Sequence, residues 1–400
     1  MEKDKKTLLQ RGVDEIVVAA DLENKLQSGK PLRVKHGIDP TTNRLHLGYA
    51  VVYEKLRQFQ EAGHKVVFLI GGFTGRFGDP TDKTESRTLR SKKDVAEAAK
   101  NYLEQLGKIL DLNKIEVRNN SEWYDKMSAE DLIKLMSEFT AMRMLERDIF
   151  QKRLQRKQAI GLHELVYPIL QGYDSYELEA DVTVIGSDQK FNELQARGLQ
   201  EARGQKPQDL IITPLLIGTD GKDKMSQSLG NDIGIAEEPK EQYGKLMSIP
   251  DEQIIPYFTL ITRLPLTEIS ELEKQMKNNK LNPRDAKAKL AFEIVKQYHS
   301  KAEAKKAEAE FNRTFRDKQT PSDIPKITVN SPVQDLAGFL VQINQFTKIK
   351  SKSEAKRLIA QGGVKINGKI FKDPNAVIPA RNGMIFTIGK KRFIEVDIRN

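Results

Sequence analysis

Two rhythms of apolar residues run along this chain. Short runs at residues 32–35, 66–70, 115–117, 182–185 and 211–217 have the length of strands, and the unbroken Val-Val-Phe-Leu-Ile at 66–70 suits a central strand covered on both faces. Between these runs the apolar positions recur at helical spacing. Val52, Leu56 and Phe59 stand at i, i+4 and i+7, with Gly63 where a helix would end, and residues 92–112 and 129–156 read as charge-laced helices. Residues 1–30 read as one or two amphipathic helices through Leu8, Leu9, Val13 and Ile16, then Leu22 and Leu26. From Glu237 onward the pattern is helical. Asn282-Pro283 supplies a cap and a first-turn proline, Leu290, Ile294 and Val295 form a buried stripe, and an Ala-, Lys- and Glu-rich helix runs to about Phe315. Strand, helix, strand in that order predicts right-handed βαβ units and a doubly wound parallel sheet of Rossmann-like type.

Four hundred residues suffice for two or three domains. The expected layout is a Rossmann-like α/β domain over 1–232 with an insertion at about 115–180, and a helical domain over 233–318. A linker over 319–332 with Pro321, Pro325 and Pro332 and a small α+β domain over 333–400 complete it. The last piece opens with a capped basic helix at Ser351, turns at Gly362-Gly363 and enters a hairpin whose Asn367-Gly368 pair suits a two-residue turn.

Composition then removes whole classes of chemistry. With no cysteine there can be no disulfide, thiolate zinc site or cysteine nucleophile. Five histidines, His36, His46, His64, His163 and His299, make a protein-built transition-metal cage unexpected, so no protein-bound metal is expected, while Mg²⁺ arriving with a nucleotide stays open. The N-terminus lacks an apolar signal region and no 18-residue uncharged apolar run occurs, so a cytoplasmic protein without membrane association is expected. The net charge of +10 is uneven: residues 331–400 hold thirteen Lys or Arg against five Asp or Glu. By itself that surplus fits a polyanionic partner or a solvated face equally.

Candidate chemistry gathers where strands hand over to helices. Val34–Ala50 reads V-K-H-G-I-D-P-T-T-N-R-L-H-L-G-Y-A. Gly37 lets backbone pass close to a ligand, Pro40 ends the strand, and the helix beginning at Gly48 aims its amides and positive dipole end back at His46, which suits an anion. The Gly-rich stretch 71–87 lies after the second strand, where ligands bind in such sheets, but it has neither P-loop nor G-x-G-x-x-G spacing. Tyr167, Gln171 and Asp174 fall at i, i+4 and i+7 and share one face of an otherwise apolar helix; this is a buried network or a site. Gly186-Ser-Asp-Gln189 repeats the strand-to-helix logic, with Asp188 either a helix cap or a ligand-facing group. Residues 218–230, around K-M-S-Q-S, form a cationic loop.

These stretches together resemble the tyrosyl branch of the class I aminoacyl-tRNA synthetases. H-L-G-Y after G-I-D-P-T is similar to the HIGH signature with its G-x-D-P-T lead-in, although Tyr49 stands where that signature has its second histidine. G-G-F-T-G-R-F-G-D-P resembles the family's Gly-rich loop, Y-P-I-L-Q-G-Y-D its tyrosine motif, and K-M-S-Q-S its KMSKS loop with Gln227 in place of the second lysine. The tail resembles S4-type RNA-binding modules, which tips the charge question toward RNA. The resemblance implies His46 and Lys224 as principal catalytic groups, with Lys83 and Arg87 on a mobile loop embracing the pyrophosphate. ATP would be held by Gly37, Asp39, His46, Gly48, Tyr49, Asp188, Lys224, Met225, Ser226, Gln227 and Ser228. Tyrosine would be held by Lys35, Gly37, Thr74, Asp79, Tyr167, Gln171, Asp174 and Gln189, with Asp79 taking the ammonium and Asp174 the phenol. Lys35 stands where many family members place a tyrosine that helps hold the phenol. In the tail, Lys352, Lys356, Arg357 and Lys365 would face phosphates.

The implied activity is formation of tyrosyl-adenylate from L-tyrosine and ATP with Mg²⁺, then transfer to the 3′ end of tRNA(Tyr), in a homodimer joined through the insertion. Two rivals stay open from residues alone: a tryptophanyl enzyme, and an RNA-binding paralogue with weak or no aminoacylation, kept in play by Tyr49 and Gln227.

Overall fold

Six short strands set the frame of the first part of the chain. They are β1 (Glu15–Val17), β2 (Arg33–Ile38), β3 (Lys65–Ile70), β4 (Glu116–Asn119), β5 (Val182–Gly186) and β6 (Asp209–Thr213), in the order β1-β6-β5-β2-β3-β4. β2 to β6 run parallel, whereas β1 lies antiparallel on β6. This computed structural model describes residues 8–41, 44–79, 90–316, 324–329, 333, 335–379, 381–389 and 392–398. Contacts divide the chain into two units, residues 1–307 and 308–400.

The strands form because their residues are buried on both faces. Val34, Val66, Phe68, Val182, Val184, Leu210 and Ile211 are all fully or almost fully inaccessible. The helix Leu47–Glu61 lays Tyr53, Leu56 and Phe59 onto the sheet. His46 caps it, accepting from the Gly48 amide through Nδ1 at 3.2 Å.

One expected helix is otherwise. Ile16, read as part of an amphipathic helix, lies in β1, where it pairs with Ile211, and the Asp14 amide donates to the Ile212 carbonyl at 2.8 Å. Val18, at φ 63°, breaks the strand from the helix Ala19–Gln27. Three residues carry too little periodicity to separate strand from helix; the open edge of β6 decides the matter.

The helices after Glu237, Pro239–Leu246, Ile254–Ile261, Leu266–Lys277, Pro283–Tyr298 and Lys301–Phe311, were expected as a domain of their own beginning at 233. Up to residue 307 these helices lie within the first contact unit. Arg11 donates to the carbonyls of Phe258, Thr259, Thr262 and Leu264 at 2.5–3.3 Å, closing the end of one of these helices with a side chain from the N-terminus. Glu54, on the helix that starts at the site, accepts from Arg263 and Gln297. Composition cannot reveal such ties.

The second unit holds β7 (Lys326–Val329), β8 (Val364–Ile366), β9 (Lys369–Phe371), β10 (Met384–Ile388) and β11 (Arg392–Ile398) in the order β7-β11-β10-β8-β9. The expected linker therefore contains a strand, β7, parallel to β11; its prolines masked the Ile327 and Val329 alternation. The hairpin turn falls where it was read, with Asn367 at φ 45° and Gly368 at φ 80° as a type I′ turn requires. Leu336, Leu340, Ile359, Phe386 and Ile394 form this unit's core.

Candidate active site

The order β3-β2-β5-β6 places a switch of winding direction between β2 and β5, and ligands in such sheets bind in the crevice beyond the carboxyl ends there. A cavity of about 280 Å³ opens at that point. Its wall brings together Lys35, Gly37, Asp39, His46, Gly48, Tyr49, Thr74, Asp79, Tyr167, Gln171, Asp174, Asp188, Gln189, Lys224, Met225 and Ser226. These come from segments spread over 190 residues of chain, and all were singled out from sequence.

One end is built around Asp174, which burial in the helix Leu162–Glu177 leaves 4% exposed. Trp123 Nε1 donates to its Oδ1 at 3.0 Å and Asn120 Nδ2 to its Oδ2 at 3.2 Å. Burial nevertheless wins over these donors and the nearby Lys35 charge, raising the carboxyl to about 7. Beneath it Lys35, part of the cavity wall, is tied into the floor: its Nζ meets Ser175 Oγ at 2.5 Å and both Glu193 oxygens at 3.1 and 3.2 Å, with only 1% of the residue exposed. Glu193 also accepts from Gln171 at 2.7 Å and Gln208 at 2.8 Å. Gln171 in turn accepts from Asn192 at 2.7 Å, so this floor of the cavity is one hydrogen-bonded network.

The middle holds two more carboxylates. Tyr167 donates to Asp39 Oδ2 at 2.8 Å and Thr74 to Asp39 Oδ1 at 2.7 Å. A Cβ added to Gly71 would lie 1.9 Å from that Asp39 oxygen, so only glycine leaves room for the carboxylate there. Asp79 accepts from Gln189 at 2.8 Å and from Arg147 at 3.0 Å. Burial, then the charges of Asp39 and Asp79, raise the Tyr167 phenol well above its ordinary value.

At the other end the helix Leu47–Glu61 points its N-terminus into the cavity. Burial pulls the His46 imidazole down to about 4, so it is neutral near pH 7. Tyr49 packs against it, ring centroids 4.5 Å apart. A Cβ on Gly48 would sit 2.8 Å from the His46 ring. Lys224 reaches over from the K-M-S-Q-S loop, its Nζ 3.4 Å from Asp188 Oδ2, so Asp188 serves as an ion-pair partner here rather than a helix cap. The loop is pinned by Met225 N to Leu216 O at 2.7 Å and by Ser226 N to Asn231 Oδ1 at 2.7 Å.

Two expected ATP contacts lie outside the wall. Gln227 donates to the Arg44 carbonyl at 2.8 Å, and the Ser228 hydroxyl meets that of Ser226 at 2.9 Å. Lys83 and Arg87 lie outside the described residues. In the second unit, Lys352, Lys356 and Arg357 on the helix Lys352–Ala360, and Lys365 between buried Val364 and Ile366, are all exposed, Lys352 while paired with Asp335 at 2.9 Å.

Sequence reading missed Asn120, Trp123, Arg147, Asn192 and Glu193. Asn120 follows β4 at its carboxyl end, the position where such sheets bind ligands, and Glu193 lies one helical turn beyond Gln189; both signals were available. Nothing local marked Arg147 or Trp123.

Comparison with known proteins gives the family. Residues 27–316 match the model for class I tRNA synthetases (W and Y), and residues 346–379 the S4 domain. The tyrosine–tRNA ligase of Carboxydothermus hydrogenoformans is 48% identical, covering 97% of this chain and 96% of that protein. That of Moorella thermoacetica is 46% identical, covering 96% and 94%. In fold the chain resembles a C-terminally truncated mitochondrial tyrosyl-tRNA synthetase of Aspergillus nidulans, with a TM-score of 0.65 at 24% identity over 78% of this chain and 94% of that one. It also resembles the Archaeoglobus fulgidus tyrosyl-tRNA synthetase complexed with L-tyrosine, with a TM-score of 0.63 at 22% identity over 76% and 99%. With near-full-length identity at this level and a cavity at the switch point of the expected sheet, the chain belongs to the tyrosine–tRNA ligase family of class I aminoacyl-tRNA synthetases.

Proposed function

We propose that the cavity holds tyrosine with its phenol at Asp174 and its ammonium at Asp79, and MgATP with its phosphates between His46, the Gly48 amide and Lys224. The observation that carries this reading is the pairing, in one cavity, of a buried carboxylate at one end with a helix N-terminus and a lysine loop at the other. A tyrosine carboxylate oxygen attacks the α-phosphorus, the bond to the bridging oxygen breaks, and pyrophosphate leaves. A 3′-terminal ribose hydroxyl of tRNA(Tyr) then attacks the acyl carbon and AMP leaves. Neither step needs a protein nucleophile; both need alignment and stabilisation of charge developing on phosphate oxygens. A neutral His46 suits hydrogen bonding in that role, and Lys224 supplies the positive charge.

Magnesium enters as part of the nucleotide substrate. Lys356, Arg357 and Lys365 bind tRNA phosphates, the working form is a homodimer, and the enzyme acts in the cytoplasm. ATP–pyrophosphate exchange tests the core of the reading: tyrosine supports exchange, tryptophan does not, and a lack of exchange with every amino acid overturns it. Replacing Lys356, Arg357 and Lys365 together by alanine leaves exchange intact and raises the KM for tRNA, with a shallower salt dependence.

A further inference from the structure

We propose that Arg147 is a positioning residue for the substrate ammonium, acting through Asp79, a role that rests on the assignment of the ammonium to Asp79. Arg147 stands between the helices Ala141–Leu145 and Asp148–Gln155, in the expected insertion, where little in the sequence signalled a role in the site. Its side chain is 5% exposed, its Nη2 lies 3.0 Å from Asp79 Oδ1, and its guanidinium sits 6.0 Å from the centre of the Phe150 ring.

The arrangement fixes both oxygens of Asp79. Arg147 holds Oδ1 and Gln189 Nε2 holds Oδ2 at 2.8 Å, so the orientation of the carboxylate is set from two sides. Charge supplies the second half of the argument. Asp39, Asp79 and Asp174 all act on the buried Tyr167 phenol, so three carboxylates converge on one small volume. Lys35, paired with Glu193, still lends its charge to Asp174, and Lys224 pairs with Asp188. Arg147 pairs with Asp79 and offsets the repulsion from Asp39 before substrate arrives. Without it, Asp79 keeps the Gln189 bond on Oδ2 but loses the ion pair on Oδ1, and with it the second anchor and a positive charge beside three clustered carboxylates.

The test uses the full chain with Arg147→Gln, Arg147→Lys and, as a control, Asp79→Asn. Pyrophosphate exchange gives kcat and KM for tyrosine. Two competitive inhibitors divide the substrate: tyramine keeps the ammonium without the carboxylate, and 3-(4-hydroxyphenyl)propionate keeps the carboxylate without the ammonium. Arg147→Gln should raise the KM for tyrosine and the Ki for tyramine by roughly tenfold to a hundredfold, the range of a lost charge-assisted hydrogen bond, while the Ki for the propionate stays within about twofold. Arg147→Lys, which keeps the charge, should recover part of the loss even if the glutamine variant folds poorly. Equal weakening of both inhibitors makes Arg147 merely structural, and unchanged or tighter tyramine binding makes it irrelevant or a competitor; each overturns the proposal. If Asp79→Asn leaves tyramine binding unaltered, the ammonium assignment itself fails and takes this inference with it. Selective loss in Asp79→Asn but not in the Arg147 variants sinks the Arg147 role alone.

Discussion

Asp174 gives the sharpest account of how tyrosine would be told from phenylalanine. Each of its oxygens already accepts one N–H, from Trp123 and Asn120, and a substrate phenol would add a charge-assisted bond of about 1.5–3 kcal/mol. Phenylalanine would leave that lone pair buried without water, costing a further ~1–3 kcal/mol. The sum, roughly 2.5–6 kcal/mol, corresponds to a preference in kcat/KM of about 10² to 10⁴. Asp174→Ala removes both parts, so the preference should fall below about tenfold while the KM for ATP hardly moves. Protonation offers an independent check, because burial raises this carboxyl to about 7. The free enzyme should lose kcat/KM for tyrosine as pH falls through that value, with kcat/KM for phenylalanine little affected. Linkage fixes the sign for stability as well. The unfolded carboxyl titrates near 4 and the folded one near 7, so the folded state binds the extra proton in between, and stability declines as pH rises from about 4 to about 7. Urea midpoints of Asp174→Asn should lack that decline. A preference in Asp174→Ala equal to the parent's, or a flat profile between pH 5.5 and 8, would refute the reasoning.

Other residues give separate tests. Lys224→Ala should slow tyrosyl-adenylate formation on the order of a hundredfold while tyrosine binding measured by equilibrium dialysis stays within about twofold, since its charge matters most in the transition state. Gln227→Lys, at the position now bonded to the Arg44 carbonyl, should raise that rate; a slower enzyme would mean the glutamine contact aids the loop. His46 is held neutral by burial, so the activation rate should show no step between pH 5.5 and 7 attributable to an imidazole, and Asp174→Asn provides the background in which to see this. Lys35→Met leaves Glu193 buried without its cation and should cost ~3–5 kcal/mol in urea unfolding, with much of it restored by adding Glu193→Gln.

How much of this was legible follows from where each signal resides. Strands β2, β3 and β5, the helix after His46 and the Asn367-Gly368 turn are local matters, decided by apolar runs, 3.6-residue spacing and the positive φ that Asn-Gly tolerates, and they fall where the sequence placed them. The site residues on those elements were legible for the same reason: the carboxyl end of a parallel strand and one face of a helix are positions that can be counted. Other features depend on partners distant in sequence. β1 is a strand because β6 offers an open edge, the helices after 237 join the first unit because Arg11 and Glu54 reach them, and β7 exists because β11 lies beside it. Lys35 is the clearest case. The family resemblance puts Lys35 where many members have a tyrosine, but its direction is set by Glu193, 158 residues away, where a buried ammonium finds a carboxylate. Arg147 likewise acquires meaning only through Asp79, 68 residues earlier. The sequence alone determined the central strands β2, β3 and β5 and the end of them at which ligands bind, because those follow from local periodicity, and the family resemblance supplied the residues gathered there. Tertiary structure alone decided which charge answers which, because a buried ion must find its partner wherever the fold brings one within about 3 Å.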